Sequence, residues 1–536
     1  MALTEEEKKL VAPFMTNVDK PVFVLTNLPE VVKGALFSRY SRTPKSLREV
    51  LLREFMQSEE LNLREMLASV PKAGPEGIKT GKAEKFYERV LVGYGDDSVA
   101  ELAGAHIALE GISILATKAI EDARIGLSPL EKSTRYVYFD QKREDGIWPY
   151  HRDEMLMNSD FADLYVETCD MCFDKYSELV PAVSAFVKEK EPQGEDVSER
   201  AYESTVRAKT CDILRGMLPA STLTNMGLFG NGRAFEYLLT RMYADDLLEM
   251  NTLARSMQEE LSKVIPSFVK RADNKYGLSM QAYFKRVRAA MDSLVEEYRK
   301  PGGKEEVKLV KYDAAAETKI ITAALYPYLS KPMGEIARIV EEMTDEEKQA
   351  VIAAYTNKRE NRRHKPGRAF EHAYYTFDIC ANFGAYRDMH RHRMLTQQRQ
   401  LLSTHHGYML PGEIVEAGLE DAFSDAMEQA RNAYGQISKK YETHAQYVVP
   451  LAFNIRWYMS FNLREAYHML ELRTSMQGHP DYRRIAQEMF KQIKEVHPKL
   501  AEGMEFVDLE EYRLSRLEAE KKIDNKMKEI AKKYEL

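Results

Sequence analysis

Cysteine is scarce. Four thiols in 536 residues, at Cys169, Cys172, Cys211 and Cys380, leave no material for a disulfide framework and point to a reducing compartment. Cys169 and Cys172 form a lone Cys-x-x-Cys in a helical pattern. With no second pair and no adjacent histidine, they read as packing thiols, and no metal site is expected. Long apolar runs are also missing. Nothing approaches the length of a membrane span, and Met1 to Lys20 has no apolar signal core, so a cytoplasmic protein without membrane contact is expected. Excess positive charge is absent as well. A net charge of −7 gives no general field for nucleic acid, so any polyanion must be met by a local pocket. Histidine is nearly absent from the first 360 residues, where only His106 and His151 occur among twelve in all. The two halves of the chain therefore have different chemical duties.

What is present is ordinary for a globular chain long enough for several domains: 44% hydrophobic and 30% charged residues. The patterning predicts a short polar helix within residues 1–20, a β-like run over Pro21–Leu25, and a helix over Pro44–Met56 capped by Thr43. Ala100–Ile120 has helical period and follows a capping cluster, Asp96-Asp97-Ser98. An irregular stretch from Gly126 to Pro129 precedes a strand-like Tyr136–Phe139. Helices are predicted over 160–190, 198–217 and 234–264. Pro301-Gly302-Gly303 is the clearest linker. Beyond it come a strand (Val307–Asp313), helices over 333–342 and 346–355, and a second long apolar-periodic segment, Phe370–Met389. The tail, Leu509–Leu536, reads as a charged, solvated or partner-packed helix.

The order repeats. Ser98-Val99-Ala100-Glu101-Leu102-Ala103 matches Arg368-Ala369-Phe370-Glu371-His372-Ala373, and Ser133-Thr134-Arg135 matches Ser403-Thr404-His405, both at an offset of 270. Leu218-Pro219 matches Val449-Pro450, and Asn231-Gly232-Arg233 matches Asn462-Leu463-Arg464, both at 231. Two blocks at constant offsets argue for tandem copies of one domain, 1–300 and 301–536, joined near Pro301.

The densest chemistry is Arg391-His392-Arg393. Sequence neighbours on an element point different ways, so the triplet makes a poor helix face. Guanidinium forks match phosphate oxygens, which suits a grip on an anion. With Glu371 ahead of it and Asn462-x-Arg464, Leu472-Arg473 and His479 behind, the triplet resembles the signature of the flavin-dependent thymidylate synthases. The first half carries the complementary part, Glu131-x-Ser133-x-Arg135-Tyr136 and Arg215 four residues before Pro219.

The resemblance implies an α+β fold: two tandem thymidylate-synthase-complementing-like domains, each a mainly antiparallel sheet with long helices. It implies flavin-dependent methylation of a uridylate-type nucleotide with a reduced-folate one-carbon donor. Glu131, Ser133, Arg135, Arg215, Arg391 and Arg473 would then bind the nucleotide, with Ser133, Arg135 and Arg473 nearest the reaction. Glu371, Arg391, His392, Arg393, Asn462, Arg464, His468 and His479 would hold FAD, with NADPH and methylenetetrahydrofolate as further substrates. Family members form tetramers whose sites are shared between chains, so a homodimer of two-domain chains is expected to imitate one.

The two halves have lost different parts. The first reads Glu121-Asp122-Ala123-Arg124 where Arg-His-Arg belongs, and Met242 where Arg473 stands. The second has His405 in place of the Ser-x-Arg arginine and Gln446 in place of the arginine before the Leu-Pro break. Losses in one half are covered by the other, which favours one site shared between the halves. Asp388 replaces a glutamine of the signature and is expected to repel a nucleotide anion. The alternative is a decayed flavin- or nucleotide-binding scaffold.

Overall fold

The computed structural model describes residues 3–41, 43–56, 100–299, 302–303 and 305–534. The capping cluster Asp96–Ser98 lies outside them. The chain forms two compact units. The first takes Met1–Ile112, Ala119–Lys132 and Thr224–Arg299; the second takes Ser113–Lys118, Ser133–Leu223 and Lys300–Leu536. No helix among the described residues is long and apolar enough to cross a membrane.

In the first unit, β1 (Gly104–Ser113), β2 (Leu127–Glu131) and β3 (Leu223–Asn231) form a sheet of order β1-β3-β2. β2 and β3 run antiparallel, from Leu127 opposite Gly230 to Glu131 opposite Met226. Helices Gly232–Tyr243, Leu248–Val264 and Lys275–Val295 follow. The predicted helix over Pro44–Met56 begins at Leu47, capped by Ser46 rather than Thr43, and continues as a π-helical turn through Met56. Only an isolated bridge, Met15 to Leu25, marks the β-like run.

The second unit holds an antiparallel sheet of order β4-β5-β7-β6, from β4 (Val307–Tyr312), β5 (Tyr374–Asn382), β6 (Thr396–Arg399) and β7 (Asn454–Asn462). Helices Ala162–Lys190, Glu199–Leu214, Glu420–Ala445, Leu463–Arg473, Pro480–Val496 and Leu517–Tyr534 belong to the same unit. Phe377 and Phe461 stack at 5.8 Å between β5 and β7, and Trp457 meets Tyr386 edge-on at 5.2 Å. Cys169 and Cys172 are buried in helix Ala162–Lys190, and burial pushes the Cys169 thiol up to about 12, as suits inert packing thiols.

Three predicted elements are corrected. Ala100–Ile120 is not one helix: it is β1 followed by helix Ile114–Glu121. Phe370–Met389 is likewise β5 followed by helix Phe383–Met389. Strand β5 ends in four consecutive buried residues, so its apolar run lacks the alternation that separates a strand from a helix. Tyr136–Phe139 is irregular, and the strand lies just before it at β2, where Pro129 disguises it.

The repeat is visible in hydrogen bonds. Asn231 and Asn462 each end a strand and cap the following helix, accepting from Ala234 N at 2.8 Å and Glu465 N at 2.9 Å. Arg233 donates to Glu101 at 2.8 Å, as Arg464 does to Glu371 at 3.0 Å. Within the second unit the matched Leu-Pro segments lie against each other. Ala220 N donates to Val449 O and Leu451 N to Leu218 O, both at 2.9 Å, with a bridge between Pro219 and Pro450. That reciprocal pattern is the mark of a local two-fold between the copies.

Candidate functional site

Helix Glu199–Leu214 ends in a turn that buries Arg215, with Asp212 one helical step earlier. Arg135 reaches Asp212 with a two-pronged contact, Nε to Oδ1 at 2.6 Å and Nη2 to Oδ2 at 2.7 Å. Its remaining Nη1 faces the Tyr482 hydroxyl at 3.4 Å. Ser133 accepts from Arg135 N at 3.2 Å, which shapes the turn presenting that guanidinium. Burial works to raise the Asp212 carboxyl, but Arg135, His479 and Arg516 hold it well below the usual range.

A second carboxylate, Asp388, sits near the end of helix Phe383–Met389. Arg215 Nη1 donates to it at 3.1 Å. Gly384 makes room for Arg215, since a Cβ there would stand 3.3 Å from Nε and Nη2. Burial alone would raise Asp388; Arg215, Arg391, Arg135 and Arg473 drive it far down instead. Asp388, from which repulsion of a nucleotide anion is expected, is thus an ion-pair partner of Arg215. Arg387, one residue earlier, donates to Thr134 at 3.3 Å.

Arg391-His392-Arg393 is split by the fold. Both arginines are exposed and His392 is buried. His392 Nδ1 meets Glu465 Oε1 at 2.8 Å, and its Nε2 accepts from Arg473 Nε at 2.9 Å. With Nε2 accepting, Nδ1 carries the proton and donates to Glu465. Burial lowers His392 well below its ordinary value, helped by Arg473 and Lys365. Burial also lifts Glu465 to about 7 and drops His468 to about 4. Arg473 in turn lies over the Tyr482 ring at 5.5 Å.

Among the described residues, His392, Glu465 and His468 offer three ligand atoms within 4.8 Å of one another, as a metal ion would require. The surroundings oppose one. Lys365, Arg464 and Arg473 all act on Glu465, and Arg473 occupies His392 Nε2. Glu465 and His392 are better described as a hydrogen-bond relay that fixes Arg473, with the His468 ring edge-on to His392 at 5.5 Å.

The other expected residues fall as follows. Glu131 ends β2 in the first unit and is buried. Asn462 is spent on its helix cap, and Arg464 joins Glu371 and the Pro366 carbonyl at the surface. His479 is buried at the start of helix Pro480–Val496, its Nδ1 accepting from Asp481 N and its Nε2 facing Asp212 O at 3.1 Å. Ser133, Arg135, Arg215, Arg391 and Arg473 therefore belong to one unit, although the first three precede the linker. Of these five, Arg215 lines a cavity of about 260 Å³, together with Asp212, His479 and Asn382. Asp212, Glu465, Tyr482 and Arg516 were not singled out from sequence. Asp212 had one signal, its position three residues before Arg215 on a predicted helix; Arg516 had none.

A two-copy α+β chain with a buried arginine–carboxylate centre is the class that fold and site define. The family model of the thymidylate synthase complementing protein matches residues 42–267 and 308–499, and the chain belongs to that family. It is 45% identical to a UPF0159 protein of Chlamydia muridarum, over 96% of this chain and 98% of that one. A UPF0159 protein of Thermoplasma acidophilum is 35% identical over 91% of this chain and 97% of its own length. A flavin-dependent thymidylate synthase of Sulfolobus acidocaldarius is 28% identical over 36% of this chain and 75% of its own. Among solved structures, the UMP/dUMP methylase PolB of Streptomyces cacaoi, bound with 5-Br dUMP, is similar at 21% identity. That match covers 37% of this chain and 93% of that one, with a TM-score of 0.29.

Proposed function

We propose that the chain is a flavin-dependent methylase of a uridylate-type nucleotide, using a reduced-folate one-carbon donor at one site pooled from both copies. The carrying observation is the environment of Asp388, where Arg135 and Arg215 of the first copy act together with Arg391 and Arg473 of the second. Two lineages of loss in the sequence meet at one carboxylate, as a shared site requires.

The residues divide the work by chemistry. Arg215 offers a buried Nη2 without a hydrogen-bond partner, a donor ready for a phosphate oxygen. Ser133 is a positioning donor near the pyrimidine. Arg473, held by His392, stabilises negative charge developing on the ring. The exposed Arg391 and Arg393 and the half-buried Arg464, which donates to Glu371, carry guanidinium groups whose chemistry fits the diphosphate of FAD. When bound, FAD supplies the redox and one-carbon transfer chemistry, and NADPH is the expected reductant.

A second reading, a nucleotide-binding protein without turnover, draws on the filled fork of Arg135. Purified protein separates the two. The enzyme reading expects a flavin absorption spectrum and thymidylate formed from deoxyuridylate, methylenetetrahydrofolate and NADPH. Colourless protein that takes up no flavin and forms no product refutes it; deoxyuridylate binding without turnover supports the second.

A further inference from the structure

The phosphate fork of Arg135 is already filled by Asp212, so the site needs another cation for a phosphate. One is supplied from beyond residue 499, where the family match ends. Arg516 is only 5% exposed, and its Nε and Nη2 have no hydrogen-bond partner. Its Nη1 donates to the carbonyl of Arg135 at 3.3 Å, its guanidinium lies 4.2 Å from the centre of the Tyr136 ring, and its Nη2 stands 3.7 Å from Asp212. A buried guanidinium with two unfilled nitrogens is costly unless an anion completes it.

Charge balance points the same way. Arg135 and Arg516 both act on Asp212, and Arg135, Arg215, Arg391 and Arg473 all act on Asp388, so five guanidinium groups share these two carboxylates. Arg516 is also held firmly. The helix that follows it, Leu517–Tyr534, is tied to helix Glu199–Leu214 and its cap through Arg200 to Glu520 at 3.1 Å and through Asp524 to both Arg200 and Ser198. Lys521 to Asp196 at 2.7 Å adds a further tie.

We infer that Arg516 is a substrate-binding residue that recognises the phosphomonoester of the acceptor nucleotide, taking over the contact that Asp212 denies to Arg135. This rests on the nucleotide reading above and extends it to a residue outside the family match.

The test is calorimetric titration of the full chain with deoxyuridylate, deoxyuridine and inorganic phosphate, using wild type, Arg516→Ala and Arg516→Lys. Arg516→Ala is expected to weaken deoxyuridylate by roughly 10- to 100-fold while leaving deoxyuridine unchanged. Arg516→Lys, keeping charge without the fork, is expected to recover part of the loss. Equal loss for both ligands, or no loss for deoxyuridylate, overturns the assignment. If wild type binds neither nucleotide but binds phosphate in an Arg516-dependent way, the anion role stands and the nucleotide reading falls. If wild type binds none of the three, both fall.

Discussion

Asp212 and Asp388 are held as anions by arginines, whereas Glu465 is pushed toward its neutral form, and the opposite signs are measurable. The two aspartates are depressed, so their contribution is present above about pH 4, the unfolded value, and fades as pH falls through the folded one. Glu465 is raised to about 7, so the folded state holds a proton that the unfolded chain releases near pH 4.5. Stability therefore falls as pH rises from about 4.5 through about 7, by roughly 3 kcal/mol from this group. Glu465→Gln is expected to flatten that slope in urea unfolding followed across pH 5 to 8; an unchanged slope counts against a protonated Glu465. Asp212→Asn leaves Arg135 without its partner and is expected to cost about 3 kcal/mol, with part regained on adding phosphate. Chemical unfolding with and without phosphate reads both effects.

At the scale of elements, strand–asparagine–helix junctions organise the molecule. Asn231, Asn382 and Asn462 each end a strand and accept from the amide three residues on. Asn231→Ala and Asn462→Ala are each expected to cost about 1 kcal/mol, seen as similar shifts in unfolding midpoint. If Asn462→Ala abolished flavin uptake without that stability loss, its role would be ligand contact rather than capping. The helices over 160–190 and 198–217 were legible because their apolar period is sustained over many turns. β5 was not, because its last four residues are all buried and lose the alternation that reveals a strand, and β1 was not, because its buried and exposed positions do not alternate regularly. Arg391 and Arg393 were legible as exposed cations. His392 was not legible as their buried opposite, because sequence adjacency does not say which side chain turns inward. Arg516 lies beyond the last matched block of the repeat, Asn462-Leu463-Arg464, so the internal comparison made on the sequence was silent about it.

At the scale of the whole molecule, two copies of one domain have specialised, and the second unit draws Ser133–Leu223 from the first copy. A dimer of such chains remains the expected assembly, and light scattering should give about twice 61.8 kDa. The central claim is that each nucleotide site takes both its halves from a single chain. Mixing tests it most directly: Arg135→Ala and Arg473→Ala chains are co-expressed, co-purified and assayed for thymidylate formation beside each variant alone. The account predicts that the mixture is no more active than the variants separately, since every chain carries a broken site. Recovery of a substantial fraction of wild-type activity would place the two halves on different chains and contradict it.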